Sequence, residues 1–484
     1  MLNIIRKILG PLSTKIKTLS SANSWHQLLL FGLVFVVAIC IRIWTLLHVD
    51  DFAWDEMFSF YYSQKPWGEL LKAMLWETNP PLHLFFLKNY FYLFPATELW
   101  ARLPSLLVGV ISLPLIYSWT KKLFSHQTAL LATIFLAFHP FVVYASALNR
   151  IYSALVLLAL LSYYFFQKMF FGEEKKKNRR TAIFFIITQF FLFFSHLTFI
   201  FIVLAQIITL AIFARAKIKK YILLNLIPGL IWLIWFTPSW YLKIKAPNIG
   251  SSWFFNIGKN DNPLAGIASV FSNTPYTWLN IFFLCLVIIG IGKIIYEQTK
   301  SRQINLNFWM MFVPVALTIV CALLGNLWQA KFFMIILPFI AIVTAYTMEK
   351  ILPKNISLLV VCIFTIIGFF SWTQTLPLNN WTQINTLLKK QSLSGTKQVL
   401  IDNNFVNWIY FPRYYTAPQD YLIYRSTQAD WDELIITQNY RYYQRPIEPA
   451  IDWLKKIGEN YDEIIVYQDY SIGVDLESAL NSLG

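Results

Sequence analysis

The sequence predicts a polytopic α-helical membrane protein with about eleven transmembrane helices, followed by a small C-terminal α/β domain on the extracytoplasmic side. Three observations carry this. Of 484 residues, 57% are hydrophobic and only 13% charged, against about 25% charged in a typical soluble domain. The mean hydropathy is +0.51, with 42 Phe, 25 Tyr and 19 Trp, as expected where lipid-facing surface must be apolar. Apolar runs of spanning length recur as far as Trp372 and then stop.

The chain starts with a basic segment, 1–27, containing Arg6, Lys7, Lys15 and Lys17. Such a start resembles a signal peptide, but the basic region is long and no small-residue cleavage site follows Leu47, so 28–47 is expected as a retained first span. Further spans are expected at 103–120, 128–147, 151–171, 181–196, 197–214, 221–240, 276–293, 307–325, 331–348 and 356–372, each near the roughly 20 residues that a bilayer core requires. The apolar stretch Leu82 to Phe94 has 13 residues. That is short for a span and fits an interfacial or re-entrant segment.

Charge tests this assignment. With the N-terminus inside and Leu82 to Phe94 not spanning, the inner segments hold 21 Lys and Arg and the outer loops hold 9, as the positive-inside rule requires. Counting Leu82 to Phe94 as a span would put Lys121, Lys122 and the run Lys175 to Arg180 outside. The net charge of +15 is therefore a topology signal and not a nucleic-acid footprint. The implied location is the cell membrane, with a cytoplasmic N-terminus.

The domain plan is thus a cytoplasmic segment 1–27, a membrane domain 28–372 with a first outer loop 48–102, and a soluble outer domain 373–484. The last has 9 basic and 13 acidic residues. Its β-rich runs at Gln398 to Asp402, Asp420 to Arg425 and Asp462 to Tyr467 alternate with helical patterns near Phe405 to Tyr415 and Pro449 to Tyr461. No repeat of fixed period is present. Cys40, Cys285, Cys321 and Cys362 lie in apolar runs and read as packing residues, not as a disulfide framework or a zinc site.

The first outer loop holds 7 of the 12 acidic residues that precede Trp372: Asp50, Asp51, Asp55, Glu56, Glu69, Glu77 and Glu98. A long loop of this kind is usually functional. Its aromatic residues Trp54, Phe58, Tyr61, Tyr62, Trp67 and Trp76 suit short helices lying at headgroup level, and acidic groups held there suit chemistry on a lipid-linked substrate. A solvated, aromatic-anchored loop is the plainer reading. Arg42 is the clear charge within a predicted span. Without a buried acidic or basic chain at mid-membrane, a transporter or lipid flippase is disfavoured. Candidate active groups gather instead at the outer span ends: Arg102, Arg150, His196 and Lys331.

Four landmarks in order carry a family likeness: Trp54-Asp55-Glu56, Asn79-Pro80-Pro81-Leu82, Arg102-Leu103-Pro104-Ser105 and Arg150-Ile151-Tyr152. On this topology the chain resembles the multi-spanning glycosyltransferases of the C superfold, the GT-C type, over Leu28 to about Trp372. The nearest likeness is to the bacterial relatives of protein O-mannosyltransferases and of the lipid A aminoarabinose and galacturonic acid transferases (glycosyltransferase family 39-like). The resemblance implies transfer of a sugar from a polyprenyl-phosphate donor to a lipid, glycan or protein acceptor on the extracytoplasmic face. It makes the first-loop acidic pair the signature of the active site, with Asp55 as its first member.

Chemistry agrees with that assignment. An acceptor hydroxyl needs a base in hydrogen-bond reach, whereas prenyl phosphate already leaves well, unlike the alkoxide of a glycosidase substrate. Inversion is the expected stereochemical outcome. Asp55 is read as the base, and Glu56 as orienting the site or binding a cation, since neighbours on a helix point in different directions; capping of a juxtamembrane helix by both carboxylates is the competing reading. Lys331 is read as a phosphate ligand acting as a point charge, against simple snorkelling. Arg150, with Tyr152, is read as binding phosphate or sugar.

Arg102 is expected to close the loop through an ion pair, with a phosphate role as the minor reading. His196 either touches substrate or is merely hydrogen-bonded in its turn, and Asn79 is a site-lining amide. Relatives commonly carry an acid two residues before the Arg-x-Tyr, where this chain has Leu148, so a divalent cation is not required by the sequence. His48 and His83 form no zinc motif. Other rivals are a surface-polysaccharide polymerase or ligase and a non-catalytic membrane scaffold.

Overall fold

The computed structural model describes residues 22–49, 51–77, 79–172, 179–245, 263–272, 276–325, 330–374, 386, 389–390, 396–402, 420–423, 454–455 and 459–467. Arg6, Lys7, Lys15, Lys17, residues 173–178 of the charged run and the expected helix at 405–415 lie outside them. The helices are α1 (Ala22–His48), α2 (Trp54–Gln64), α3 (Trp67–Trp76), α4 (Leu82–Tyr90), α5 (Glu98–Leu123), α6 (His126–Phe138), α7 (Pro140–Ala145), α8 (Tyr152–Phe170), α9 (Arg179–Phe193), α10 (Phe199–Phe213), α11 (Ile218–Lys245), α12 (Pro263–Ser272), α13 (Thr277–Ser301), α14 (Leu306–Gly325), α15 (Ala330–Phe333), α16 (Leu337–Ile351) and α17 (Lys354–Gln374). The chain divides into two compact units. One comprises Met1–His48, Arg102–Gly229 and Gly258–Leu376, and the other Val49–Ala101, Leu230–Ile257 and Pro377–Gly484.

Every predicted span has a helix within it, and six helices among the described residues are long and apolar enough to cross a membrane; α6, α10 and most of α17 are shorter apolar helices. Burial divides them further. In the first unit α6 and α16 are buried on nearly all sides, Thr128 to Ala137 and Leu337 to Thr344 without interruption, and they pack on each other. Helices apolar all round belong in the centre of a bundle. Elsewhere in this unit, α1, α11 and α13 turn outward Leu33, Val36, Ile222, Ile227, Ile288 and Ile289, which is lipid-facing surface and not that of a water-soluble fold. Cys40 and Cys285 are exposed, so these two cysteines do not serve the packing role expected of them. The chain is a multi-pass membrane protein.

Two features depart from the expected outline. The run 128–147 is not one helix: α6 ends at Phe138 and α7 starts at Pro140. Proline has no N–H to donate to the carbonyl four residues back, and its ring crowds that carbonyl. Hydropathy alone averages over such a break. The segment Leu82 to Phe94 folds as α4 with nine residues, about 13.5 Å at 1.5 Å per residue and under half of the ~30 Å hydrocarbon thickness.

The bundle holds a neutral polar ring. Ser162 of α8 donates to Gln189 of α9 (3.1 Å), Gln189 Nε2 to Gln206 of α10 (2.9 Å), and Gln206 Nε2 back to Ser162 Oγ (2.8 Å). Tyr221 of α11 adds a donor to the Gln206 oxygen at 2.8 Å. Four helices are thereby tied by side-chain hydrogen bonds, which in membranes contribute about 0.6–2 kcal/mol each.

The strands β1 (Gln398–Asp402), β2 (Asp420–Ile423) and β3 (Glu463–Tyr467) stand where the sequence placed them. They form a parallel sheet in the order β2-β1-β3, with Val399 opposite Asp420 on one side and Ile464 on the other. Parallel neighbours need crossover connections. Those connections lie mostly outside the described residues.

Close approach of α13 to α16 rests on Gly290. A Cβ there would meet the Thr347 side chain and stand 3.2 Å from its Cα and carbonyl oxygen, whereas Gly292 has open space. Gly290→Ala is expected to destabilise the protein by about 1–3 kcal/mol through overpacking. Gly292→Ala is expected to be neutral or to stabilise by up to about 1 kcal/mol through helix propensity. Thermal unfolding of the two variants in detergent should shift in opposite directions or by clearly unequal amounts.

Candidate active site

The predicted site residues fall in both units. In the unit that includes 49–101, α2 opens with Trp54-Asp55-Glu56. Phe52, Met57, Phe60 and Ala101 form a buried core beneath it, and Tyr62, Leu70, Ala73, Met74 and Leu84 form a second that joins α2, α3 and α4. Phe58 and Tyr61 pack against both. Three of the aromatics expected at headgroup level therefore build the core of this unit, because a loop of this length can bury its own rings. Trp67, also among the expected aromatics, is exposed, and so are Phe86, Tyr92, Leu93 and Phe94. The side chains of Trp54 and Trp76 are outside the described part of the structure.

The two acidic neighbours are treated differently. Glu56 is 1% exposed, and its Oε2 accepts from the backbone N–H of Ala53 at 3.0 Å. That is the return half of a capping box, a carboxylate at the third helical position satisfying a donor that the helix leaves orphaned. Asp55, one residue earlier, is partly accessible, while its backbone carbonyl accepts from Ser59 Oγ at 3.0 Å. Both lie in the first turn of α2, where the positive end of the helix dipole favours carboxylate charge. The capping reading thus holds for Glu56.

Asn79 is tied to Glu77, whose Oε1 accepts from the Asn79 backbone N–H (3.3 Å) and side-chain amide (3.0 Å). Buried Pro80 and Pro81 then lead into α4. Lys88 is buried on the α4 side, donates to the Lys65 carbonyl and lies 5.2 Å from the Trp67 ring centroid. It pins α4 to the α2–α3 connection.

In the first unit the structure gathers several candidates. Arg150 is buried in the irregular turn 146–151, with its guanidinium carbon 5.9 Å from the Tyr152 ring centroid. The Tyr152 ring lies 6.2 Å from the His196 ring, and that ring 6.4 Å from Phe332, the neighbour of Lys331 on α15. The Lys331 side chain itself is outside the described part of the structure.

His196 Nδ1 accepts from the Thr198 backbone N–H at 3.2 Å, with Thr198 Oγ1 at 3.0 Å. An Nδ1 that accepts leaves the proton of the neutral ring on Nε2, so the ring presents an N–H donor there. Arg102 is buried one turn before Ser105 on α5, and Ser105 Oγ donates to the Arg150 carbonyl at 3.1 Å. Sequence reasoning assigns no role to Ser105 or Thr198. The one signal it could have used is a hydroxyl close in sequence to a candidate ligand.

Leu148, two residues before Arg150, is buried and apolar, so this turn supplies no carboxylate. Among the described residues no three His, Cys, Asp or Glu side chains are gathered to hold a metal ion.

Comparison with known proteins points in the direction of the four landmarks, toward membrane glycosyltransferases, as a likeness over part of the sequence and in the fold. Residues 78–242 match the family described as dolichyl-phosphate-mannose-protein mannosyltransferase, a stretch that includes Asn79, Arg102, Arg150, Tyr152 and His196 and leaves out Asp55, Glu56 and Lys331. Among solved structures, ArnT from Cupriavidus metallidurans in the apo state superposes with a TM-score of 0.56 at 12% identity, over 87% of this chain and 89% of that one. The same protein bound to undecaprenyl phosphate gives a TM-score of 0.55 at 12% identity, over 86% and 89%. At this identity the likeness is one of fold. No curated protein sequence matches the chain significantly.

The Glu56 cap has a measurable consequence. Glu56→Ala is expected to cost about 0.5–2 kcal/mol of stability. Glu56→Gln retains an oxygen acceptor for the Ala53 N–H and should fall closer to wild type. Thermal unfolding of both variants in the same detergent checks the order.

Proposed function

We propose that this protein is an integral-membrane glycosyltransferase that moves a sugar from a polyprenyl-phosphate donor to an acceptor hydroxyl at the extracytoplasmic face, with inversion. The observation that carries the reading is the division of labour in the acidic pair, with Glu56 buried as a cap and Asp55 left partly accessible in the same turn. Asp55 takes the proton of the acceptor hydroxyl as its oxygen attacks the anomeric carbon. The bond from that carbon to the phosphate oxygen breaks, and polyprenyl phosphate leaves with the electron pair. Attack opposite the leaving group inverts the centre.

Arg150, Lys331 and the Nε2–H of His196 serve as donors to the departing phosphate, where charge-assisted hydrogen bonds are strongest. Tyr152 lies against Arg150 and His196 and holds their planes in place. Glu56 acts by fixing the first turn of α2, and Asn79, held by Glu77, lines the acceptor side. Arg102 is assigned a structural role at the start of the second span. The similarity in fold to a protein solved with undecaprenyl phosphate supports a lipid-phosphate donor, and lipid, glycan or protein remains the acceptor class. Residues 373–484 are read as an outer α/β domain that shapes acceptor binding, built on the parallel strands β1 to β3.

Asp55→Asn keeps the size of the side chain and removes the base. Transfer from a defined undecaprenyl-phosphate sugar should fall by about 10²–10⁴-fold, with the protein still folded in the membrane. Near-normal transfer would refute Asp55 as base, and flux of the lipid in proteoliposomes without acceptor would favour a flippase.

Topology can be checked separately. In a cysteine-free background, a cysteine at exposed Lys122 should react with an impermeant maleimide only from the cytoplasmic side. One at exposed Glu69 should react only from the outer side. The reverse pattern would invert the assigned orientation.

A further inference from the structure

Arg42 has no part in the reaction as written, yet it is fully buried in α1. Its Nη1 donates to the Ala137 carbonyl at 2.7 Å and to the Ala38 carbonyl at 3.2 Å, and its Nε to Ser146 Oγ at 3.3 Å. Ala137 stands at the C-terminal end of α6, just before the break at His139 and Pro140. The carbonyls of a last turn lack helical partners and carry the negative end of the dipole, so a cation is well placed there.

Ser146 opens the turn that carries Arg150 and leads into Tyr152. It is pressed against Gly109 of α5, at a distance that leaves no room for a Cβ, and its hydroxyl donates to the Val142 carbonyl at 2.8 Å. The far end of the turn is held by Ser105, through the Arg150 carbonyl. The turn is therefore clamped at both ends, at Ser146 by Arg42 and at Arg150 by Ser105.

Capping alone does not call for a charge in a spanning helix, where an ionised side chain is costly. A rigid planar fork that reaches a carbonyl on one element and a hydroxyl on the next is what arginine adds and lysine lacks. We propose that Arg42 is a positioning residue for donor binding: by bridging the end of α6 to Ser146 it orients the turn from which Arg150 meets the lipid-linked phosphate, without touching the donor itself. The proposal rests on Arg150 as a phosphate ligand.

The test uses the full chain in lipid nanodiscs, with Arg42→Lys, Ser146→Ala, the double variant and Arg150→Lys. Binding of undecaprenyl phosphate is read directly, together with thermal unfolding and with KM and kcat for transfer from an undecaprenyl-phosphate sugar. Arg42→Lys should weaken binding roughly tenfold and raise KM in step, with kcat within about twofold. Ser146→Ala should give a smaller loss in the same direction, and the double variant should lose less than the sum of the two.

If Arg42→Lys does not fold, Ser146→Ala carries the same test. Wild-type binding in Arg42→Lys and Ser146→Ala, with Arg150→Lys weakened, overturns the positioning role and leaves the site reading standing. Losses that appear only as a lower unfolding temperature, with KM unchanged, also overturn it. Wild-type binding in Arg150→Lys removes the site reading and this proposal together.

Discussion

In hydrocarbon every backbone carbonyl and amide must find a partner within the protein, and the break at His139–Pro140 is where this chain meets that constraint most sharply. A continuous helix over 128–147 would satisfy its backbone unaided. Breaking it frees carbonyls at the end of α6, and the Arg42 guanidinium reaches one of them. The next stretch of chain depends on that arrangement. The short α7, the turn 146–151 and the start of α8 are laid out from a helix end that a buried cation holds. Buried His139 caps the restart, its carbonyl accepting from the N–H groups of Val142 and Val143 at 3.0 Å.

A second set of contacts ties helices of the bundle without charge. The ring of Ser162, Gln189 and Gln206, joined by Tyr221, pairs neutral donors with neutral acceptors. Every member gains a partner that lipid would not supply, and no ion has to be desolvated. A proton or ion path needs ionisable groups that change state. An amide and hydroxyl ring has none, so its contribution is to register four helices against one another. Gly290 against Thr347 does the same for α13 and α16 by removing bulk. Small residues at a contact let helices approach closely enough for dispersion to act, which matters where no hydrophobic force separates protein from solvent.

Much of the outline was legible because it rests on composition over long windows. Each predicted span holds a helix, Leu82 to Phe94 folds as a helix too short to cross, and the three strands start within a residue of their predicted positions. Those signals sum over many residues, so no single contact decides them. The features that escaped depend on single residues in three dimensions. Pro140 was visible, but hydropathy weighs it as one residue in twenty. The ring residues Phe58, Tyr61 and Tyr62 read as interfacial because sequence cannot tell an aromatic that faces a membrane from one that faces a neighbouring helix. At the site, Asp55-Glu56 was legible as a pair, and the different burial of its members was not. Ser105 stands within a landmark and Thr198 beside His196, but their bonds to the Arg150 carbonyl and to the His196 ring depend on how the chain folds back and leave no pattern in sequence.

The residue types sort by chemistry once their local partners are known. On the turns of the first unit stand a guanidinium, a phenol and an imidazole whose Nδ1 accepts, so that the neutral ring carries its N–H on Nε2. An array rich in donors suits an oxygen-rich anion such as a leaving phosphate. In the other unit, α2 offers a carboxylate at the positive end of a helix dipole, and an ionised carboxylate can only accept. It suits the removal of a proton from a hydroxyl. A helix rotates by about 100° per residue, so two adjacent acids cannot face the same way. Burying one to close the helix start and leaving the other partly accessible lets a single turn supply both the scaffold and the proposed base. Exchanging the roles of Asp55 and Glu56 would not preserve this, because the capping box needs its carboxylate at the third position and the longer side chain is the one that reaches back to the Ala53 N–H.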